Sequence, residues 1–137
     1  MASVSEMIIN IRNLIGDTST PSVYNDPKLR EYLLGAGMPR TNVELGTAYI
    51  SSDSATISPE PSGAQQYHME LSTAYAVVSR QYAENASKAL KAKEGSSEID
   101  LSNTSKESGA AAKALNDLIK DITEKIKREG TTGVYIV

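Results

Sequence analysis

The feature that most constrains this chain is a run over residues 65–90 that contains neither glycine nor proline. Its apolar side chains recur at gaps of three and four residues, with two adjacent pairs, which is the stripe of an amphipathic α-helix. A helix of this length measures about 39 Å, more than the width of an ordinary small domain. The run therefore predicts a long central helix with shorter elements packed around it. The stripe comprises Tyr67, Leu71, Ala74, Tyr75, Val78, Tyr82, Ala86, Ala89 and Leu90.

Two interpretations of this stripe stay open. In the first, the whole stripe is core of a helical bundle. In the second, the portion from Tyr75 to Tyr82 faces another protein chain, because tyrosines combine a wide apolar body with a hydroxyl that needs water or a partner. Tyr75, Val78 and Tyr82 are therefore candidate subunit contacts.

Two shorter helices are predicted ahead of the long one. Residues 3–15 begin with Ser3 and Glu6 in the spacing of a capping box, carry one apolar face, and stop before Gly16. A second helix begins at Asp26-Pro27, with Asp26 or Asn25 as its cap, and we expect Gly35 and Gly37 to end it. Since Asp26 directly precedes a proline, it is interpreted as a helix cap and not as a catalytic carboxylate.

The segment before the long helix favours a small β-hairpin at about residues 48–58. Two short runs with β preference, 49–51 and 55–57, flank a turn at Ser52-Asp53-Ser54. The prolines at 59 and 61 then predict an extended approach to the long helix, since a residue that precedes proline avoids helical angles. Residues 43–48 are a further short helix candidate.

After the long helix, residues 97–102 are predicted to be extended, and a last helix is expected from about Ser105 or Glu107 to Arg128. Its solvent face carries acids placed three or four residues before lysines. Residues 131–137 carry no charge and end in a run that favours strands, so an extended tail is predicted over residues 130–137. This tail either packs back on the hairpin or adds a strand to another molecule.

Composition excludes several classes of protein. A chain of 137 residues forms one domain, here a helical domain over residues 1–129 followed by the tail. The absence of cysteine argues against thiol catalysis, disulfides, iron–sulfur clusters and zinc sites. No membrane span or signal peptide is recognised, and a net charge of −3 with mixed signs does not indicate a nucleic-acid surface. These features predict a soluble, cytosolic helical domain.

Enzyme signatures are missing from the sequence. His68 is the only histidine and is expected on the protein surface, because no serine stands in a nucleophile elbow to pair with it. The glycines do not form a phosphate-binding loop, and the acids do not follow calcium-loop spacing. We therefore expect no catalytic residue, no metal and no cofactor, and a role in assembly or binding.

The order of these features resembles the head-to-tail connector, or neck adaptor, proteins of tailed bacteriophages. The resemblance covers about residues 4–128 and depends on a short helix, a second short helix, a β-favouring pair, a long helix rich in alanine and tyrosine, and a final helix. The motifs that carry it are Leu14-Ile15-Gly16-Asp17, Tyr24-Asn25-Asp26 with Leu29 and Ala36, Tyr49-Ile50, Ile57-Ser58-Pro59-Glu60-Pro61 and Ile99-Asp100-Leu101-Ser102.

The resemblance implies a virion protein, made in the host cytoplasm, whose copies form a ring of about twelve beneath the portal. DNA passes through the channel of such a ring without specific binding. The hairpin around Asp53 is then expected to contact the next neck component, a stopper or tail-terminator protein. The tail is expected to dock on the portal or on a neighbour; its residues are Thr131, Thr132, Gly133, Val134, Tyr135, Ile136 and Val137.

A different class of protein fits the same residues. A cellular helical binding module, regulatory or antitoxin-like, could hold one small partner in a groove on the Tyr75 to Tyr82 face. Such a module predicts a stable monomer or dimer, whereas an adaptor predicts a ring or binding to a ring-shaped portal.

Overall fold

The computed structural model describes residues 2–16, 24–92 and 98–136. The chain is mostly α-helical, as the sequence predicts. Among the described residues, none of the helices has the length and apolarity needed to cross a membrane. The elements in chain order are β1 (Ala2–Ser3), α1 (Val4–Ile15), α2 (Asp26–Tyr32), a π-helical segment (Leu33–Gly37), α3 (Met38–Leu45), β2 (Thr56–Ile57), α4 (Gly63–Ala92) and α5 (Glu98–Ile136).

The first helix forms as its sequence predicts. The Ser3 hydroxyl accepts a hydrogen bond from the Glu6 backbone N–H at 3.5 Å, and Gly16 ends the helix in the left-handed region at φ 74°. Only glycine adopts that conformation without a steric penalty from Cβ. The buried face of α1 consists of Val4, Met7, Ile8 and Ile11.

The second helix does not end at Gly35 and Gly37. Its cap is Asn25, whose side-chain oxygen accepts from the Lys28 N–H at 2.9 Å, while Asp26 pairs with Arg12. The chain then passes through the π-helical segment, in which the Met38 N–H donates to the Leu33 carbonyl, and continues directly into α3. One widened turn thus joins the two helices into a single rod.

Close packing explains the second of these glycines. A Cβ placed on Gly37 would lie 1.9 Å from the Thr73 hydroxyl and 2.9 Å from the Met69 carbonyl oxygen, both on α4. Gly37 therefore permits the rod to approach the backbone of α4, and this tertiary contact stabilises the helical turn that the isolated sequence disfavours.

The predicted hairpin is present as a chain reversal but pairs differently. Ile50 and Ser58 form a single antiparallel bridge with two hydrogen bonds of 2.9 Å. The Asp53 carboxylate accepts the backbone N–H groups of Ala55 and Thr56 at 2.9 and 3.0 Å. Because the turn itself takes the Thr56 N–H, that group cannot extend a ladder across the hairpin.

The strand β2 pairs instead with the start of the chain. Ala2 lies opposite Ile57, and Ser3 lies opposite Thr56, in a two-stranded antiparallel sheet. This pairing anchors the loop that precedes α4 to the beginning of α1, and Ile57 is fully buried beneath it.

Helix α4 is the central post, as predicted. One cluster of buried side chains fills the space between α4, α1 and the rod formed by α2, the π-helical segment and α3. It includes Met69 and Val77 of α4. A second cluster joins α4 to α5 through Leu71, Ala74 and Val78 against Ala112, Leu115 and Ile119. Residues 68–74 are buried all around the helix, because elements pack against it on every side.

Helices α4 and α5 run antiparallel with a defined register. His68 is hydrogen-bonded to Thr123, and the Tyr82 ring lies beside Gly109. Each step up one helix is a step down the other, so the first turn of α4 lies level with residues near Arg128.

The last helix is longer than predicted at both ends. It begins at Glu98, so residues 98–102 are helical and not extended, and it continues to Ile136, so residues 130–136 form helix and not an extended tail. A strand needs a partner edge to satisfy its backbone, whereas a helix that has already formed gains one hydrogen bond for each added residue. Within the single chain, continuation of α5 therefore overrides the β preference of these residues.

Candidate functional site

A concave groove of about 630 Å³ lies between α4 and α5, and we name it the tyrosine groove. Tyr75 and Tyr82 supply its aromatic surface, and Gly109 allows the Tyr82 ring to lie directly on the α5 backbone, since a Cβ there would stand 3.0 Å from the ring. The full lining is Tyr75, Ser79, Tyr82, Gly109, Ala112, Lys113 and Asn116.

Polar groups lie among these aromatic rings. The Arg40 guanidinium stacks 5.1 Å from the centre of the Tyr75 ring, and it also donates to the Asn116 side-chain oxygen at 3.1 Å. Within the part of the chain that the structure describes, the buried Ser79 hydroxyl oxygen has no hydrogen-bond partner. Lys113 is exposed, and within the described residues its ammonium forms no ion pair. The apolar surface of a partner would pack on the tyrosine rings, and a carboxylate of that partner would pair with the Lys113 ammonium.

The structure separates the predicted subunit contacts. Tyr75 and Tyr82 both line the groove, and Tyr82 is 44% exposed. Val78 is buried against α5 in the second core cluster, so it is not available to a neighbouring chain. Asp53 is exposed but holds its own turn, and the hydrogen bonds from Ala55 and Thr56 lower the pKa of its carboxyl group.

The predicted partner-binding segment, residues 131–137, lies at the end of α5. Its backbone is helical as far as Ile136. By the register of the two helices, residues after Arg128 lie past the first turn of α4. The side chains of this segment and the whole of Val137 lie outside the described residues.

The sequence predicts a surface position for His68, and this prediction is wrong: the side chain is fully buried between α3, α4 and α5. Its Nδ1 lies 2.9 Å from the Thr41 hydroxyl and its Nε2 lies 2.9 Å from the Thr123 hydroxyl. Burial lowers the pKa of the imidazole, although the nearby Glu44 carboxylate opposes this effect. The ring therefore serves as a neutral polar link between three helices.

A signal for this burial was available in the sequence. Between Gln65 and Ser79 the only Asp, Glu, Lys or Arg is Glu70, so this part of the helix has no charged face to present to water. The stripe of larger apolar residues was too narrow a description, because it left out Met69, Val77 and the small polar residues that are also buried.

Glu70 is a second buried polar group that sequence reasoning did not single out. Asn10 donates to its carboxylate at 2.7 Å and Gln66 donates at 3.3 Å. Burial raises the pKa of this carboxyl, and the two hydrogen bonds partly counteract that effect. Because both donors come from amides, the site links α1 to α4 without a counter-charge from them.

The described residues contain no cluster of three or more His, Cys, Asp or Glu side chains able to hold a metal ion. The tyrosine groove is open and carries two tyrosines, a residue type that is enriched in protein–protein interfaces. Comparison of the chain with protein-family models, with curated protein sequences and with solved structures finds no match.

Proposed function

We propose that this chain is a structural subunit of a tailed-phage neck, an adaptor whose copies form a ring between the portal and the tail or stopper proteins. The observation that supports this proposal is the division of α4 into two parts. Residues 68–74 are buried all round, whereas Tyr75 and Tyr82 present aromatic surface on one side of the same post. A subunit of a ring needs such a rigid post with an apolar side left for its neighbour.

The proposal assigns the segment 131–137 to docking on the portal. Its sequence lacks charge and contains Val134, Tyr135 and Ile136, which can enter a groove as helix or add a strand to a partner sheet after unwinding. Its place beyond the first turn of α4 supports contact with another molecule. The adaptor ring would surround DNA without gripping it, in keeping with the chain's net charge of −3.

The experiment is native mass spectrometry with negative-stain imaging of the full chain, alone and mixed with portal rings. The proposal predicts a closed ring of about twelve subunits, free or templated on the portal. A truncation that ends at Gly130 should lose portal binding while it keeps its helical circular dichroism. Undiminished binding by this truncation would overturn the docking assignment, and failure of the full chain to bind any portal would overturn the adaptor proposal.

A second candidate is a helical binding module of the cell, and the defined groove favours it. In that case the chain remains a monomer or dimer, and the groove holds one small partner between Tyr75 and Tyr82. Tyr82→Asp should abolish that complex without loss of helix content, because Tyr82 is outside the buried clusters. The presence or absence of a portal-bound ring separates this candidate from the adaptor.

A further inference from the structure

We infer that the tyrosine groove of one copy receives the outer face of α1 from a second copy, in a head-to-tail contact. We name the face formed by Glu6, Ile9 and Asn13 the α1 stripe. The inference deepens the proposed adaptor function and rests on it, since it specifies which two surfaces meet between neighbouring subunits.

The α1 stripe points directly away from the core. At about 100° of rotation per residue, its three members fall within about 60° of one another and roughly opposite the buried face of the helix. Ile9 is 60% exposed, and Glu6 and Asn13 are also exposed. The stripe is therefore a small apolar surface with an acid at one end and an amide at the other.

The α1 stripe and the tyrosine groove lie on different sides of α4. Asn10 of α1 is hydrogen-bonded to Glu70 of α4, and Val77, seven residues further along the same row of α4, belongs to the core cluster that includes the buried side chains of α1. Another row of α4, with the same seven-residue spacing, contains His68, Tyr75 and Tyr82. Helix α3 contacts this row at His68 and Tyr75, and the groove lies along it from Tyr75 to Tyr82. The two rows are separated by about 160° around the helix axis.

Two unlike surfaces on opposite sides of a rigid post cannot pair with each other within one molecule. When they pair between copies, each copy gives one surface and receives the other, which is a heterologous contact. Repetition of such a contact closes into a ring when the rotation between neighbours allows it. The placement of the two surfaces is therefore the one that a ring of identical subunits requires.

The two surfaces also match in chemistry and length. Glu6 carries a carboxylate and Lys113 an ammonium, and neither forms an ion pair within the described residues. Ile9 offers an exposed aliphatic side chain for the rings of Tyr75 and Tyr82. The first and last residues of each surface are seven positions apart on a helix, so both surfaces are about 10 Å long.

Charge exchange tests the contact directly. Glu6→Lys and Lys113→Glu should each weaken self-association at least about tenfold at low salt, because like charges then meet at the contact. The double variant should recover most of the association. A one-to-one mixture of the two single variants should also recover it, since every contact in an alternating assembly joins a lysine to a glutamate. Glu124→Lys, on the exposed side of α5, is the matched control and should change little.

Cross-linking tests the position of the contact. The chain contains no cysteine, so single cysteines can be introduced without background. A mixture of Ile9→Cys and Tyr82→Cys chains should form a disulfide-linked heterodimer at least about tenfold faster than a mixture of Val43→Cys and Tyr82→Cys chains, because bound groups are held at high effective concentration. Val43 is 83% exposed, more than Ile9, so accessibility alone cannot produce that result.

The outcomes separate this inference from the adaptor proposal. If the chain forms rings or binds portals, but neither charge exchange changes its association, the α1 contact is overturned and the adaptor proposal stands. Recovery by the double variant but not by the mixture would place the charge pair within one chain and would also overturn the contact. A chain that stays monomeric up to millimolar concentration at low salt, with no heterodimer trapped, overturns it as well.

Discussion

At the scale of single residues, hydrogen-bond accounting defines the tautomer of His68. The Thr123 hydroxyl donates its proton to the Ile119 carbonyl at 2.7 Å, so toward His68 it can only accept. Nε2 must therefore carry the proton, and Nδ1 accepts from the Thr41 hydroxyl. A neutral ring satisfies all of these groups, whereas a second proton on Nδ1 would require the Thr41 hydroxyl to turn and accept.

This arrangement predicts acid-sensitive stability. Because burial lowers the pKa of His68 in the folded chain, the unfolded chain binds more protons as the pH falls below about 6.5. The stabilising contribution of the neutral ring is fully present above pH 6.5 and declines as the pH falls toward the lowered pKa. The measurement is urea unfolding between pH 7.5 and 5, compared with His68→Gln.

The His68→Gln variant should unfold with a flatter pH dependence over this range, whatever its absolute stability. His68 is the only histidine in the chain, so no other imidazole contributes to the difference. Equal slopes for the two proteins would contradict the buried neutral histidine.

Glu70 predicts a pH effect of the opposite sign. Its pKa is raised by burial, so the folded chain holds a proton that the unfolded chain releases as the pH rises above about 4.5. Ionisation of Glu70 therefore lowers the free energy of unfolding as the pH rises through the pKa that this carboxyl has in the folded chain. Glu70→Gln should raise the free energy of unfolding at pH 7, and the gain should disappear below pH 4.5, which chemical unfolding at the two pH values can measure. A loss of stability at pH 7 would show that the ionised carboxylate is held favourably by Asn10 and Gln66.

At the scale of elements, two glycines in one rod carry different physical constraints. Gly37 faces α4 so closely that an added methyl group would collide with Thr73 and with the Met69 backbone. Gly35 has no heavy atom within 4 Å of the position a Cβ would take. Replacement by alanine therefore reports mainly helix propensity at Gly35 and mainly helix packing at Gly37.

Gly37→Ala is expected to destabilise the fold by about 1–3 kcal/mol, because α4 and the rod must move apart. Gly35→Ala is expected to stabilise it by about 0.5–1 kcal/mol, because alanine is the better helix former and meets nothing. Equilibrium unfolding of both variants measures the contrast. A destabilising Gly35→Ala would mean that the π-helical turn itself needs that glycine.

At the scale of the whole molecule, the register of α4 and α5 places the last residues of the chain beyond the first turn of α4, outside the helical bundle. Among the α5 side chains that the structure describes, residues 109–128, those buried in the core clusters or in the His68 network lie between Ala112 and Thr123. A truncation that ends at Gly130 should therefore change the melting temperature by less than about 2 °C. Differential scanning calorimetry of the full and truncated chains measures this, and a substantial drop would show that residues 131–137 pack on their own bundle.

Several elements could be predicted from local signals in the sequence. The cap at Ser3, the stop at Gly16, the proline-led second helix and the long uninterrupted stripe each depend on residues only a few positions apart. These signals were sufficient for a mostly α bundle around one long helix, and for two of the residues that line the groove, Tyr75 and Tyr82.

Features that depend on residues distant in sequence could not be predicted in this way, because they form only in the folded chain. Gly37 packs against Thr73 of α4 at a point where a side chain would not fit, and this contact stabilises the helical turn. The strand β2 pairs with β1 because the Asp53 turn occupies the amide that a hairpin would use. His68 is buried because threonines from two other helices, 27 and 55 residues away, satisfy both of its nitrogens. Such partners have no fixed spacing in the sequence, so only the folded chain brings them together.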